Sequence, residues 1–141
     1  MENKIKDLLI KARELISDKA NWTKDAPARM LEFDGFYQST DPEDPEACQW
    51  CATGAVERAF HDNPDFDEMR DFRFKTAAQM ALDAATPYGG GSILSFNDHY
   101  YSTHEQILAV FDKAIADITQ EHEQNPSVYL LRLYNYIKGN G

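Results

Sequence analysis

The chain predicts a single, mostly α-helical domain of about five helices, with one short extended or β segment. Three observations predict it. Apolar residues recur at three- and four-residue spacing over most of the 141 residues; strong cap-then-proline signals punctuate those stretches; and the one Gly-rich run, Gly89 to Gly91, is confined to a single connector. A hydrophobic fraction of 43% is enough for a real core and argues against disorder, and the length leaves little room for a second domain.

Ile5, Leu8, Leu9, Ala12, Leu15 and Ile16 fall at helical spacing with charged residues between them, so the first 18 residues form an amphipathic helix. Trp22 follows in a connector, where an indole serves as a plug over the core. From Pro27 to Asp44 the chain mixes Gly35, Pro42 and aspartates with Met30, Leu31, Phe33, Phe36 and Tyr37. That pattern predicts an ordered loop or a short hairpin around Asp34 and Gly35, pinned by its aromatics.

The clearest helix start is Asp44-Pro45-Glu46: an acceptor for free amides, a proline where its missing N–H costs nothing, and a negative charge at the positive end of the dipole. The helix is therefore expected from Pro45 to about His61, ahead of Asn63-Pro64. Cys48, Cys51, Ala52, Ala55 and Ala59 make a stripe of small side chains on it, and Gly54 beside the stripe marks a close backbone approach, because a helical glycine costs roughly 1 kcal/mol against alanine. Asp65 or Asp67 is positioned to cap a third helix from about Phe66 to Ala85. Gly89-Gly90-Gly91 lacks the Gly-Lys-Ser/Thr ending and the preceding strand of a phosphate loop, and reads as a hinge or tight connector.

Residues 92 to 96 are expected to be extended, delivering Asn97 and Asp98 to a loop. Ser102 or Thr103, with Glu105 and Gln106 each three residues beyond one of them, forms a capping-box pattern that starts a helix reaching to about Glu121, expected to pack on the Pro45 helix. Asn125-Pro126 then opens a last helix with Val128, Leu130, Leu131, Tyr134 and Ile137, ended by Gly139.

Cys-Ala-Thr-Gly-Ala at residues 51 to 55, Phe-Asn-Asp at 96 to 98, and Thr-His-Glu at 103 to 105 running into Ile107, Leu108, Phe111, Asp112, Ala114 and Ile115, with Trp22-Thr23 upstream, form a distinctive set. It resembles a family of small uncharacterised bacterial and phage proteins known only as a domain of unknown function. The resemblance covers roughly Ile5 to Ile118 and implies one compact domain of 1–141, in which residues from about 125 to 138 are a helical extension. It supplies no activity.

Two chemical constellations arise from the residues. In the first, Cys51 is a nucleophile, His104 its base, and Asp98 or Asn97 the orienting group, since a thiol needs a nearby base to become thiolate. No oxyanion-hole element accompanies it, and Cys51 would lie near the second turn of a helix starting at Pro45 rather than at its tip. In the second, Cys48 with Cys51 and His99 with His104 supply two half-sites for a metal, but 47 residues intervene between the pairs, far more than compact zinc modules use. A thioredoxin-type reading of the same cysteines lacks its preceding strand, since Asp41 to Asp44 is rich in proline and acid. The plainer reading makes Asn97, Asp98 and His104 a loop-fixing network, with His104 bonded back to Asp98 or to a backbone group and largely covered, and Cys51 a buried structural thiol. It requires no metal and no cofactor.

Charge points elsewhere. The formal net charge is −10, and residues 32 to 71 alone hold 12 acidic against 2 basic side chains, while the flanking segments cancel. Such a patch repels phosphate backbones, so direct nucleic-acid binding is not expected, and it attracts cationic proteins. Asp41, Glu43, Asp65 and Asp67 are the residues expected to meet such a partner, itself a nucleic-acid-handling protein if the gene is phage-borne. The plain alternative is a solvated face that aids solubility. No apolar run approaches the roughly 20 residues of a membrane span, the N-terminus lacks a signal-peptide core, and two cysteines three apart suit reduced thiols, so no membrane partner is expected and the expected location is cytoplasmic. The chain is thus expected to be a non-enzymatic binding module; a cysteine-, histidine- or metal-dependent enzyme is the alternative.

Overall fold

The computed structural model describes residues 3–87 and 91–140. Within them are α1 (Lys4–Leu15), a 3-10 turn (Lys19–Asn21), β1 (Ala28–Leu31), β2 (Tyr37–Thr40), β3 (Ala47–Trp50), α2 (Ala52–Asp62), α3 (Phe72–Ala85), α4 (Ile93–Asp98), α5 (His104–Asp117), α6 (Gln120–Gln124) and α7 (Pro126–Asn140). The fold is α-rich, as expected, with seven α-helices among the described residues and a small antiparallel sheet in the order β2-β1-β3. No helix among the described residues is long and apolar enough to cross a membrane.

The periodic stretches become helices because their apolar stripes have something to cover. Ile5, Leu8, Leu9 and Ala12 of α1 meet Ala55, Val56 and Ala59 of α2, Ala77, Ala78 and Leu82 of α3, and Ile107, Phe111 and Ala114 of α5 in one core. Contrary to the expected direct packing of the Cys51 helix on the Thr103 helix, α1 and α3 each pack against both α2 and α5 and stand between them.

The Asp34-Gly35 hairpin is present. Gly35 takes φ +90°, a conformation side chains rarely adopt, Phe36 N–H donates to Asp34 Oδ1 at 3.2 Å, and Glu32 N–H closes the turn on Phe36 O at 2.8 Å. The aromatics do not pin it: Phe33 and Phe36 are exposed, because the turn lifts them off the domain.

Three local expectations are corrected. The helix does not start at Pro45. Asp44 instead accepts from Thr40 Oγ1 and Glu46 N–H in a turn, and residues 47–50 pair with β1 as β3, so α2 begins only after Cys51. A strand partner some 20 residues upstream satisfies the backbone groups that a first helical turn would have left open. Residues 93 to 98 are not extended: Ser92 Oγ accepts from Ser95 N–H and Asp83 Oδ1 from Ile93 N–H, two caps that close the short helix α4, so Asn97 and Asp98 sit at its C-terminal end rather than in a loop. Third, α3 begins at Phe72, because Asp67 is used to cap a separate turn through Met69 and Arg70 N–H.

Toward the C-terminus, α5 stops at Asp117, and Thr119 opens α6 with its own capping box to His122. Helix α7 runs through Gly139 and packs on α3. From α6 the carboxylate of Glu123, itself buried, accepts Ile5 N–H at 2.8 Å and Lys6 N–H at 2.9 Å, closing the N-terminus of α1 from the far end of the chain. Of the Gly89 to Gly91 connector, only Gly91 is among the described residues.

Candidate functional site

The residues singled out by sequence converge on the N-terminus of α2. Cys51 is the N-cap, in extended conformation; its Sγ accepts from Gly54 N–H at 3.3 Å and lies 3.2 Å from Thr53 Oγ1. Its own N–H donates to Pro27 O at 3.2 Å. The thiol therefore does the work of a capping hydroxyl, at the helix tip rather than in its second turn. It is fully buried, and burial pushes its pKa up, against the lowering effect of the Thr53 and Gly54 bonds.

Asn97 is the hub of the network around that cap. It is fully buried, and its Oδ1 accepts from both Trp22 Nε1 at 2.8 Å and Ala52 N–H at 3.0 Å. Its Nδ2 donates to Thr23 O at 3.1 Å and to Asp98 Oδ1 at 3.0 Å. One amide thus ties the Trp22 connector, the first turn of α2 and the end of α4 together, with its bonds to Ala52 N–H and Thr23 O buried and those to Trp22 and Asp98 partly so. Asp98 Oδ1 also accepts Asp25 N–H at 2.9 Å and steadies Asp25 at φ +63°, in the left-handed region.

His104 lies in the first turn of α5, with its ring 5.6 Å from that of Trp22. Its Nε2 meets Ile16 O at 2.5 Å rather than Asp98, so this histidine holds the end of α1 instead of closing the Asn97 network. The structure brings Cys51, Asn97 and Asp98 into one neighbourhood, but among the described residues the hydrogen-bond partners of Cys51 Sγ are Thr53 and Gly54, not His104. The other half-site residues are also engaged: Cys48 Sγ faces Arg29 O at 3.6 Å from β3, and His99 Nδ1 accepts Tyr101 N–H at 3.2 Å on the surface. Among the described residues, no group of three or more His, Cys, Asp or Glu side chains is placed to hold a metal.

The acidic residues divide. Asp41 and Glu43 line a cleft of about 570 Å³, together with Thr53, Glu57 and Asp83. Glu57 is met there by Lys75 at 3.1 Å and Gln79 at 3.2 Å, while burial raises the pKa of Asp83. Asp65 and Asp67 lie apart from this cleft, beyond the end of α2, where Asp67 caps a turn and Arg70 grips Asp65 O at 3.1 Å. Two acids of the same run are structural: Asp71 is 2% exposed and its Arg70 partner holds its pKa down to about 2, and Asp44 is held below its ordinary value by Thr40. Sequence reasoning missed Glu57 and Asp83 as cleft residues; Asp83 lies outside the charge run and no local pattern marks it.

The profile of a family of unknown function, DUF6197, matches residues 1–117. The chain belongs to that family. No curated protein and no solved structure matches it. In this DUF6197 member the matched residues take in the sheet, α1 to α5, the Cys51 cap, the Asn97 hub and the acidic cleft, while α6 and α7 lie beyond them.

Proposed function

We propose that this DUF6197 protein is a non-enzymatic, cytoplasmic binding module that engages a basic protein through its acidic face. The observation that carries the reading is the cleft of about 570 Å³ into which Asp41, Glu43, Glu57 and Asp83 converge from the β2–β3 connection, α2 and α3. Among the described residues Lys75 offsets them by a direct bond at Glu57, and His61 Nδ1 lies 3.7 Å from Glu43. A lysine or arginine side chain entering the cleft would meet carboxylates on three sides, and the chain's net charge of −10 would speed the encounter and repel nucleic acid itself. Asp65 and Asp67 extend the negative field toward the end of α2. The residues of the thiol constellation support the same reading, since Cys51 is spent on a helix cap and His104 on the Ile16 carbonyl.

The test is recovery of partners from the native host with the purified chain at low and at raised salt. A cationic protein should bind at low salt and weaken as ionic strength rises, because exposed charges are screened over about 8 Å at physiological salt. Changing Asp41, Glu43, Asp65 and Asp67 to their amides should slow association while leaving the fold intact, since an amide oxygen can still accept the turn N–H groups that Asp41 and Asp67 hold. Recovery of no basic protein at low salt would refute the proposal.

A further inference from the structure

A second cavity, of about 300 Å³, lies between α3, α5 and the α6–α7 arm, and it shares no residue with the acidic cleft. That volume is at the lower end of small-molecule sites, which span roughly 300 to 1,000 Å³. Its floor is Ala81, Ala84 and Ala85 of α3, a strip without polar side chains. Its wall is Tyr129, only 6% exposed, against which the His122 ring stacks at 3.9 Å and 16°.

The Tyr129 hydroxyl is the observation that points to a ligand. Among the described residues it makes no hydrogen bond, and since no side-chain oxygen or nitrogen closed to solvent lacks a partner there, this hydroxyl is open to solvent on a residue that lines the cavity. Tyrosines this deeply buried usually find a partner for the hydroxyl. The phenol stays protonated, its pKa pushed up to about 12 by burial, and so it can donate. Beside it, His122 Nδ1 accepts Thr119 N–H at 3.1 Å, which leaves Nε2 as the N–H of the neutral ring. Lys113 and Asp117 stand four residues apart on α5 at the rim, separated by about 6 Å of helix rise, and among the described residues neither has an ion-pair partner.

These groups are a cation, an anion, a hydroxyl donor and an apolar floor. A ligand carrying only an acid would face Asp117, and one carrying only an amine would face Lys113; a compact zwitterion satisfies both. We propose that the cavity binds a free α-amino acid with an apolar side chain, its carboxylate taken by Lys113 and the Tyr129 hydroxyl, its ammonium by Asp117, and its side chain laid on the alanine floor of α3.

Isothermal titration of the full chain with phenylalanine and leucine tests this, alongside 3-phenylpropionate, which lacks the amine, and phenethylamine, which lacks the carboxylate. The expected result is binding of at least one amino acid with a Kd below about 1 mM, and about tenfold weaker binding of both single-charge analogues, the loss that goes with one unpaired charged group. Tyr129→Phe removes no hydrogen bond among the described residues and should keep the melting temperature while weakening the amino acid about tenfold; Asp117→Asn, on the exposed rim, should remove the preference over 3-phenylpropionate. No heat from either amino acid up to about 10 mM, analogues that bind as tightly as phenylalanine, or variants with unchanged affinity would each overturn the proposal.

Discussion

Replacing Gly54 with alanine puts the close approach of α2 to the sheet to a direct test. A Cβ built at Gly54 would lie 1.9 Å from Pro27 O and 2.9 Å from Pro27 C, both backbone atoms, so relief requires the chain entering β1 to retreat by more than about 1 Å. That retreat is resisted: Pro27 O accepts the Cys51 amide at 3.2 Å, and Ala28, which follows, is fully buried in the core. Overpacking of this kind costs about 1 to 3 kcal/mol, and loss of the amide bond about 1 more. Against this stands a gain of about 1 kcal/mol in helix propensity. The net is a destabilisation of about 1 to 3 kcal/mol, or a melting temperature lowered by about 4 to 12 °C in a domain of this size. Thermal melting by far-UV circular dichroism reads it, with Gly139→Ala as the control. A Cβ at Gly139, inside α7, meets nothing within 4 Å, so that substitution should hold or slightly raise the melting temperature. A Gly54→Ala protein that melts at or above the wild type, while Gly139→Ala behaves as stated, would refute the reasoning.

Two further outcomes are expected. Glu123→Ala removes the carboxylate that accepts Ile5 and Lys6 N–H, and should cost about 2 to 3 kcal/mol; hydrogen exchange should show those two amides quickening first, and unchanged protection there would contradict the capping role. Asp71, whose pKa is held at about 2 in the folded chain against 3.8 for the unperturbed group, binds its proton less readily when folded than when unfolded. Its contribution is therefore complete above about pH 4 and is lost as pH falls through about 2, on the order of 1 kcal/mol once screening around its exposed Arg70 partner is allowed for. Urea titrations between pH 5 and 2, flattened in part by Asp71→Asn, would show it; identical slopes in the two proteins would not fit.

Much of this architecture is written locally. The apolar spacing of α1, α3, α5 and α7 is visible in sequence because helix faces repeat every three to four residues, and the Thr103 cap with Gln106 three residues on needs nothing beyond its own turn. The Asp34-Gly35 turn is equally local, and Gly54 announces a close contact because a helical glycine is otherwise unfavourable. Other features depend on groups remote along the chain. Residues 47–50 have a good helix start at Asp44 and Pro45, yet they become β3 because β1 supplies hydrogen bonds for a whole strand, and this displacement carries Cys51 to the tip of α2. Likewise Asp83, ten residues away, helps to turn an expected extended piece into α4, and Ile16, 88 residues away, decides where His104 points. The acidic run was legible as charge, but its division into cleft, caps and buried pairs was not. Local rules reach about one helical turn, whereas a strand partner, the far side of a cleft, and the carbonyl nearest a histidine are chosen only when distant segments pack together.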